Sequence, residues 1–153
     1  MKVESIHCHQ RLEENTLIHS LEVKEDWCEL KLHFTNKNLS FFFDHEIDHL
    51  PGMLEINAMR QGALAVAHLV YKVPQDYEVI LNWIHVNLCN YGELNTDTTA
   101  KIKLLNSSVE KNKISLTLEG EMFQDKKLIM KMSGELIALN PKLSKRLRKL
   151  INV

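Results

Sequence analysis

Two histidines and two aspartates lie close together just before a Pro-Gly pair. They are Asp44, His45, Asp48 and His49. An imidazole titrates near neutral pH and suits proton transfer, and either aspartate could hold one of the rings in position. The same side chains could bind a metal ion, but the segment matches no familiar ligand spacing. The residue types therefore favour proton transfer without a metal, with His45 and His49 as rival candidates for the base.

A long buried helix is predicted directly after these residues. Residues 52–71 contain only two charges, Glu55 and Arg60, and no proline. Pro51 suits a first helical turn, where its missing N–H is not needed. The Ala, Leu, Met, Gln and Arg residues that follow are good helix formers. Such a helix is apolar on almost every side and has to be buried, while its interior polar residues argue against a membrane span.

The start of this helix could stabilise a negatively charged oxygen. Gly52 and Met53 would present backbone N–H groups that no helical carbonyl uses, at the positive end of the helix dipole. Glycine also lets a substrate approach the backbone closely. The sequence therefore offers Gly52 and Met53 as an oxyanion site, and an ordinary Pro-Gly helix start is the alternative.

Strand patterns precede and follow the helix. The clearest consists of Leu30, Leu32 and Phe34, which alternate with polar residues as in a half-buried strand. Strands are predicted over residues 2–8, 16–23, 27–34, 77–88, 98–105, 113–119 and 128–139. In the first of them, His7 and His9 would share one face and lie on the surface. One long helix among these strands predicts an α+β fold, an antiparallel sheet curled around the helix.

The size, charge and cysteines narrow the class of protein. The 153 residues suffice for one domain, which we place at residues 1–140, with residues 141–153 as a basic C-terminal tail or helix. The net charge of −1 gives no general attraction to nucleic acid. Three cysteines in no metal-binding pattern, and an N-terminus without the apolar core of a signal peptide, predict a reducing cytoplasm.

The tail combines apolar residues at helical spacing with many positive charges. Leu143, Leu147 and Leu150 alternate with basic residues. These are Lys142, Lys145, Arg146, Arg148 and Lys149. The pattern predicts either a solvated terminal helix or a basic surface that binds an acidic partner.

The stretch DHEIDHLPGMLEINAMRQGA, residues 44–63, resembles the A-factor biosynthesis hotdog family. More distantly it is similar to the beta-hydroxyacyl carrier-protein dehydratases and thioesterases of the hotdog superfamily. The resemblance implies a single hotdog fold that handles acyl groups held as thioesters on acyl carrier protein or coenzyme A, with no cofactor beyond their phosphopantetheine. Proteins of this family usually carry two hotdog units. This chain carries one, so the resemblance implies a homodimer or higher homo-oligomer with shared active sites.

The resemblance also assigns roles within the motif. His45 matches the loop histidine that acts as a base in the dehydratases. Asn57 stands where relatives commonly have a carboxylate, and an asparagine cannot exchange a proton. Glu55 lies about 200° around the helix from Asn57, so it points elsewhere. Asn57, Gln61 and His68 share one helix face. They could form a hydrogen-bonded network inside the protein, or they could position substrate or water.

These residues lead to a candidate site and to three functional hypotheses. The catalytic candidates are His45, His49 and Asn57, with Gly52 and Met53 as oxyanion donors and Asp48, Gln61, Phe43 and Met59 as substrate-binding residues. The preferred function is acyl transfer or hydrolysis of a thioester, in secondary-metabolite or signal biosynthesis. The alternatives are a 3-hydroxyacyl carrier-protein dehydratase, which the asparagine disfavours, and a non-catalytic acyl-binding protein.

Overall fold

The computed structural model describes residues 1–34 and 48–151. Its helices and strands are β1 (Ile18–Val23), β2 (Cys28–Leu32), β3 (His49–Leu50), α1 (Gly52–Leu69), β4 (Glu78–Leu88), β5 (Gly92–Glu93), β6 (Thr98–Glu110), β7 (Lys113–Gln124), β8 (Lys127–Leu139) and α2 (Pro141–Ile151). Two short 3₁₀ helices, Ser5–Cys8 and Glu13–Asn15, precede β1. One long helix against an antiparallel sheet confirms the predicted α+β fold.

Six strands form one antiparallel sheet in the order β1-β2-β6-β7-β8-β4. The buried residues of β7 alternate along the strand, as a sheet with one face on the core requires. A separate pair of strands, β3 and β5, joins the start of α1 to the loop after β4. The end of β4 and the start of α1 therefore meet at one end of the molecule.

Helix α1 is enclosed along most of its length, as its lack of a polar face predicts. Every residue from Gln61 to His68 is buried. Gly62 lets the sheet approach, since a Cβ there would lie 3.0 Å from the Cδ1 atom of Ile102. Pro51 precedes the first helical turn with a φ of −68°, an angle that a proline ring favours.

The predicted strand over residues 2–8 is wrong. Only Lys2 forms an isolated bridge, to Ser20, and residues Ser5–Cys8 form a 3₁₀ helix packed on α1. The residue pattern of so short a stretch, with few apolar residues, does not distinguish a strand from a 3₁₀ helix. Contact with α1 decides between the two conformations. His7 and His9 consequently share no strand face, because His9 ends the 3₁₀ helix in a left-handed conformation with a φ of 53°.

Two polar residues of α1 hold this N-terminal segment in place. The Gln61 side chain accepts a hydrogen bond of 2.8 Å from the backbone N–H of Leu17 and donates one of 3.0 Å to the carbonyl of Asn15. Further along the helix, the Nε2 atoms of His68 and His9 are 2.7 Å apart, and the Nδ1 atom of His68 lies 2.8 Å from the Val73 carbonyl oxygen. Within the described residues, neither helix has the length and hydrophobicity that a membrane crossing requires.

Candidate active site

A cavity of about 310 Å³ opens at the N-terminal end of α1. Its walls come from β3, from the start of α1, and from the end of β4 with the loop that follows it, which the β3–β5 pair brings together. The lining residues are His49, Leu50, Gly52, Glu55, Leu88, Cys89, Asn90 and Tyr91. This cavity therefore contains the start of the helix, a histidine and a carboxylic acid within one small volume.

His49 lies at the edge of the cavity and is oriented by a carboxylate. Its Nδ1 atom is 2.9 Å from the Oδ1 atom of Asp48, and this hydrogen bond lowers the pKa of Asp48. The Tyr91 ring contacts the imidazole edge-on, with ring centres 5.7 Å apart. A carboxylate that holds the Nδ1–H leaves Nε2 unprotonated in the neutral ring, where it can accept a proton. The pair matches the prediction that an aspartate orients a neighbouring histidine.

Glu55 is the unexpected member of the site. Its side chain is only 2% exposed, and within the described part of the chain it forms no hydrogen bond or ion pair. Burial raises the pKa of its carboxyl to about 7, and the nearby His49 opposes part of this rise. Carboxylic acids with a raised pKa that line a cavity concentrate at functional sites. A carboxyl group with a pKa of about 7 is present in both its protonated and its ionised form near neutral pH.

A glycine of β5 makes room for this carboxyl group. A Cβ on Gly92 would lie 2.8 Å from the Oε1 atom of Glu55, closer than unbonded atoms approach. The cavity thus depends on a close approach between the α1 side chain and the β5 backbone. The sequence alone leaves two roles open for Glu55, a pair with Arg60 or membership of a differently arranged site. The only available signal was that it is the one acidic residue within α1.

The start of α1 supplies Gly52 to the cavity. The N–H groups of Leu54 and Glu55 already bond to the carbonyl of Pro51, at 2.9 and 3.1 Å, and Pro51 carries no capping side chain. The N–H groups of Gly52 and Met53 precede these turns and have no helical acceptor. Gly52 also packs against Leu88, because a Cβ there would lie 2.8 Å from the Leu88 Cδ1 atom. The side chain of Met53 is 62% exposed and does not line the cavity.

The other predicted site residues lie away from this cavity or outside the described residues. Asn57 is half-buried, on a different side of α1 from Glu55, and Gln61 is occupied by the backbone of the N-terminal segment. Met59 is buried beside Gly120 and lines a narrow apolar slot of about 20 Å³ between α1 and the sheet. Their proposed roles stay predictions. His45 and Phe43 belong to residues 35–47, which the structure does not describe.

The arrangement can perform proton transfer beside a polarised carbonyl group. His49 and Glu55 both line one cavity, and Gly52, at the positive end of the helix dipole, forms part of its wall. Among the described residues, no cluster of three or more histidine, cysteine, aspartate or glutamate side chains has the geometry to hold a metal ion. Cys89 also lines the cavity, partly exposed, with its sulfur 3.6 Å from the carbonyl oxygen of Asn87.

Comparison with solved structures places this fold among hotdog proteins. The chain is similar to the dehydratase heterocomplex ApeI:P of Xenorhabdus doucetiae, at 17% identity over 94% of this chain and 93% of that chain, with a TM-score of 0.68. It is also similar to a thioesterase of Haemophilus influenzae, at 17% identity over 82% and 80%, with a TM-score of 0.56. A hypothetical thioesterase with coenzyme A from Streptococcus pneumoniae aligns at 10% identity over 79% and 85%, with a TM-score of 0.53.

At these sequence identities, the similarity shows the fold alone. A comparison with curated protein sequences finds no match. A comparison with models of protein families identifies the family. The model of the A-factor biosynthesis hotdog domain matches residues 1–140, which is nearly the whole chain. The match includes the motif that predicted this resemblance as well as the strands that build the cavity. The chain therefore belongs to the A-factor biosynthesis hotdog family.

Proposed function

We propose that this protein is an enzyme that transfers or hydrolyses acyl groups held as thioesters on the phosphopantetheine of acyl carrier protein or coenzyme A. One observation carries the proposal. Glu55 is a carboxyl group on a residue that is only 2% exposed, with a pKa of about 7, in the same cavity as His49 and the start of α1. Acyl transfer requires a base near neutral pH and a donor to the carbonyl oxygen, and we assign these tasks to Glu55 and to the start of α1.

The proposed reaction assigns a separate task to each part of the cavity. The thioester carbonyl oxygen accepts hydrogen bonds from the backbone N–H groups of Gly52 and Met53, so that negative charge develops at the positive end of α1. Glu55, ionised, takes a proton from water or from an acceptor hydroxyl as that oxygen attacks the carbonyl carbon. The imidazolium form of His49, positioned by Asp48, gives its Nε2 proton to the departing thiolate. Before the next turnover His49 takes up a proton from solvent, and Glu55 releases the proton that it took. The products are a free thiol and an acid or a new ester.

Other predicted residues enter this proposal from outside the observed cavity. The family's loop histidine corresponds to His45, which we propose as an alternative to His49, with Phe43 near the acyl chain. Met59 would contact the far end of that chain in the slot between α1 and the sheet. Asn57 and Gln61 would position substrate or water through hydrogen bonds alone. A reducing cytoplasm is the compartment that we propose, and secondary-metabolite or signal biosynthesis is the pathway class.

Dehydration of a 3-hydroxyacyl thioester is the second candidate. The neighbour with the TM-score of 0.68 is described as a dehydratase, and Glu55 with a pKa of about 7 could supply the proton that leaves with water. Asn57, where relatives commonly have the acidic group, favours transfer or hydrolysis instead. The third candidate is a protein that binds acyl groups without reaction, which predicts an inert parent protein that an Asn57→Glu change activates.

We also propose that the protein is a homodimer joined along β4. That strand pairs with β8 on one side, and no described strand covers its other edge. Large apolar side chains along it are exposed, among them Ile80 at 42%, Trp83 at 43% and Leu88 at 54%. A long, apolar, uncovered edge strand promotes association, so proteins normally cover it. A second copy of the same strand matches this edge in length and character.

The proposal is tested by the release of free thiol from acyl coenzyme A, measured with a thiol-reactive dye between pH 5 and 9. We expect Glu55→Gln to lower kcat/KM by about 10²–10⁴-fold, the usual range for a general base. In the parent, the rate should rise with a pKa near 7 that the variant lacks. Glu110→Gln, an exposed acid at the end of β6 that does not line the cavity, is the matched control and should keep the parental rate. A Glu55→Gln variant with parental kcat/KM and pH profile would contradict the proposal.

A further inference from the structure

Helix α2 is attached to the first residue of β4. Glu78 accepts a hydrogen bond from the Ser144 hydroxyl through one carboxylate oxygen and pairs with the Arg148 guanidinium through the other. These two bonds lower the pKa of Glu78. Ser144 is itself buried, so one side of the helix rests on the protein. The position of α2 is therefore determined by the start of β4.

The opposite side of α2 is a strongly basic surface. Four exposed residues, Lys142, Lys145, Arg146 and Lys149, form no ion pair within the described structure, and residues 141–151 contain no acid. Arg148 differs from them, because Glu78 already uses its charge. The chain as a whole has a net charge of −1, so this concentration of positive charge is local. Such a surface attracts an acidic macromolecule.

This basic surface lies far from the cavity of its own subunit. Glu78 and Leu88 stand at opposite ends of β4, ten residues apart. A strand rises about 3.3 Å per residue, so the separation is about 33 Å. Helix α2 is bonded at the first end, whereas Leu88, Cys89 and Tyr91 line the cavity at the second. A carrier on α2 would have to reach along the whole strand to use this cavity.

Antiparallel pairing of two β4 strands removes this separation. In such a pair, residue 78 of one strand lies opposite the residue-88 end of the other. The basic surface of one subunit then flanks the cavity of its partner. We infer that α2 docks an acidic acyl carrier protein whose thioester enters the cavity of the opposite subunit. The inference rests on the proposed function, and it assigns the docking and the chemistry to different subunits.

The docking surface is tested with a double charge reversal, Lys145→Glu with Arg146→Glu. Arg148 is kept, because it holds the helix on Glu78. We expect kcat/KM for an acyl carrier protein substrate to fall at least about tenfold more than kcat/KM for the same acyl group on N-acetylcysteamine. The control is Arg11→Glu with Lys31→Glu, two exposed basic residues. Arg11 lies between the two 3₁₀ helices, and Lys31 lies in β2, four strands away from β4 in the sheet. This control carries the same change in charge and should show no such difference.

A mixed dimer tests whether a carrier that docks on one subunit reacts in the cavity of the other. One subunit carries Glu55→Gln with an intact α2, and the other carries the reversed α2 with an intact Glu55. The two are expressed together with different affinity tags and purified through both. We expect this dimer to recover about half of the parental rate on the carrier substrate, since one of its two cavities retains both an acid and an opposite intact helix.

The outcomes separate this inference from the proposed function. A parent that processes neither the carrier-bound nor the free thioester overturns the proposed function. A parent that processes both, together with a reversal that affects both substrates equally, overturns the docking surface alone. If the mixed dimer is no more active on the carrier substrate than a homodimer with the double charge reversal, docking on one subunit and reaction in the other is overturned. Binding of α2 to anionic lipid vesicles, with carrier kinetics unaffected by the reversal, would assign this surface to a membrane instead.

Discussion

Replacing Glu55 by glutamine should make the protein more stable and less active at the same time. The carboxyl has an ordinary pKa of 4.5 and a pKa of about 7 in the folded protein, because burial disfavours its charged form. The folded state therefore binds the proton more tightly than the unfolded state does. Stability from this group is full below pH 4.5 and is lost as the pH rises through 7. Glutamine keeps the shape of the side chain without the charge.

The size of the effect follows from the two pKa values. Their difference of about 2.5, at 1.36 kcal/mol per pKa unit, corresponds to about 3 kcal/mol. We expect Glu55→Gln to raise the free energy of unfolding by about this amount at pH 8 and by less than about 1 kcal/mol at pH 5. For a chain of this length, the gain at pH 8 corresponds to roughly 6–12 °C in Tm.

Urea unfolding of parent and variant at both pH values measures this difference directly, with thiol release followed in parallel. Glu110→Gln controls for removal of an exposed carboxylate. It should change the free energy of unfolding by no more than a few tenths of a kcal/mol and leave the rate of thiol release unchanged. A variant that is less stable than the parent at pH 8 would show that Glu55 is ionised and well stabilised in the fold. That result would refute both the raised pKa and the acid-base role built on it.

Three further changes probe the surroundings of the site. Gln61→Leu should destabilise the protein by about 3 kcal/mol in urea unfolding, because two backbone groups of the N-terminal segment lose their partners inside the protein; a change below about 1 kcal/mol would contradict this. Burial lowers the pKa of His9 and of His68, which favours the neutral form of each ring. The stability that they contribute is present above pH 6.5 and is lost below it, and the stability difference between parent and His9→Gln should therefore shrink from pH 7.5 to 5. A constant difference would contradict the pairing. Met59→Ala should destabilise the fold by about 2–5 kcal/mol and raise the ratio of dodecanoyl to butanoyl kcat/KM, since the Met59 side chain fills the space beside Gly120; an unchanged ratio would exclude this slot as the acyl site.

The sequence predicts the large elements well because their patterns extend over many residues. Helix α1 begins one residue after Pro51, and β4 and β8 lie within one residue of their predicted limits. Strands β6 and β7 begin where predicted, but each continues five residues beyond its predicted end, because polar and charged residues there hide the strand pattern. The N-terminal segment was predicted wrongly, since its conformation depends on contact with α1 rather than on its own periodicity. The conformation of a long element follows from the preferences and periodicity of its own residues. The conformation of a short element depends on the surface against which it packs.

The candidate site was harder to predict because it is assembled from distant parts of the chain. Helical angles correctly separate Glu55 from Asn57, but they cannot say which of the two faces a cavity. The answer depends on Leu88 and Gly92, more than thirty residues later, which close around Glu55. The motif located the start of α1 and the Asp48–His49 pair, whereas the buried acid became visible only in three dimensions.

Asn57 and Glu55 differ in the chemistry that they can perform. The resemblance implies a carboxylate at position 57, where this chain has an amide, and a carboxylic acid stands two residues earlier, on another side of the helix. The pKa of about 7 gives this acid the property that the amide lacks. We therefore propose that the acid-base function belongs to the cavity beside β5 rather than to the face that carries Asn57.

Intact-mass spectrometry of acyl carrier protein tests the central proposal most directly. A 3-hydroxyacyl and a 3-ketoacyl carrier are each incubated with the parent and with Glu55→Gln, with and without an added acceptor alcohol. We expect the parent to return free carrier from both, by hydrolysis or by transfer to the acceptor, and the variant to leave them acylated. Loss of water from the hydroxyacyl form alone would make the protein a dehydratase. Two unchanged carriers with the parent, or equal conversion by the variant, would contradict an enzyme that depends on Glu55.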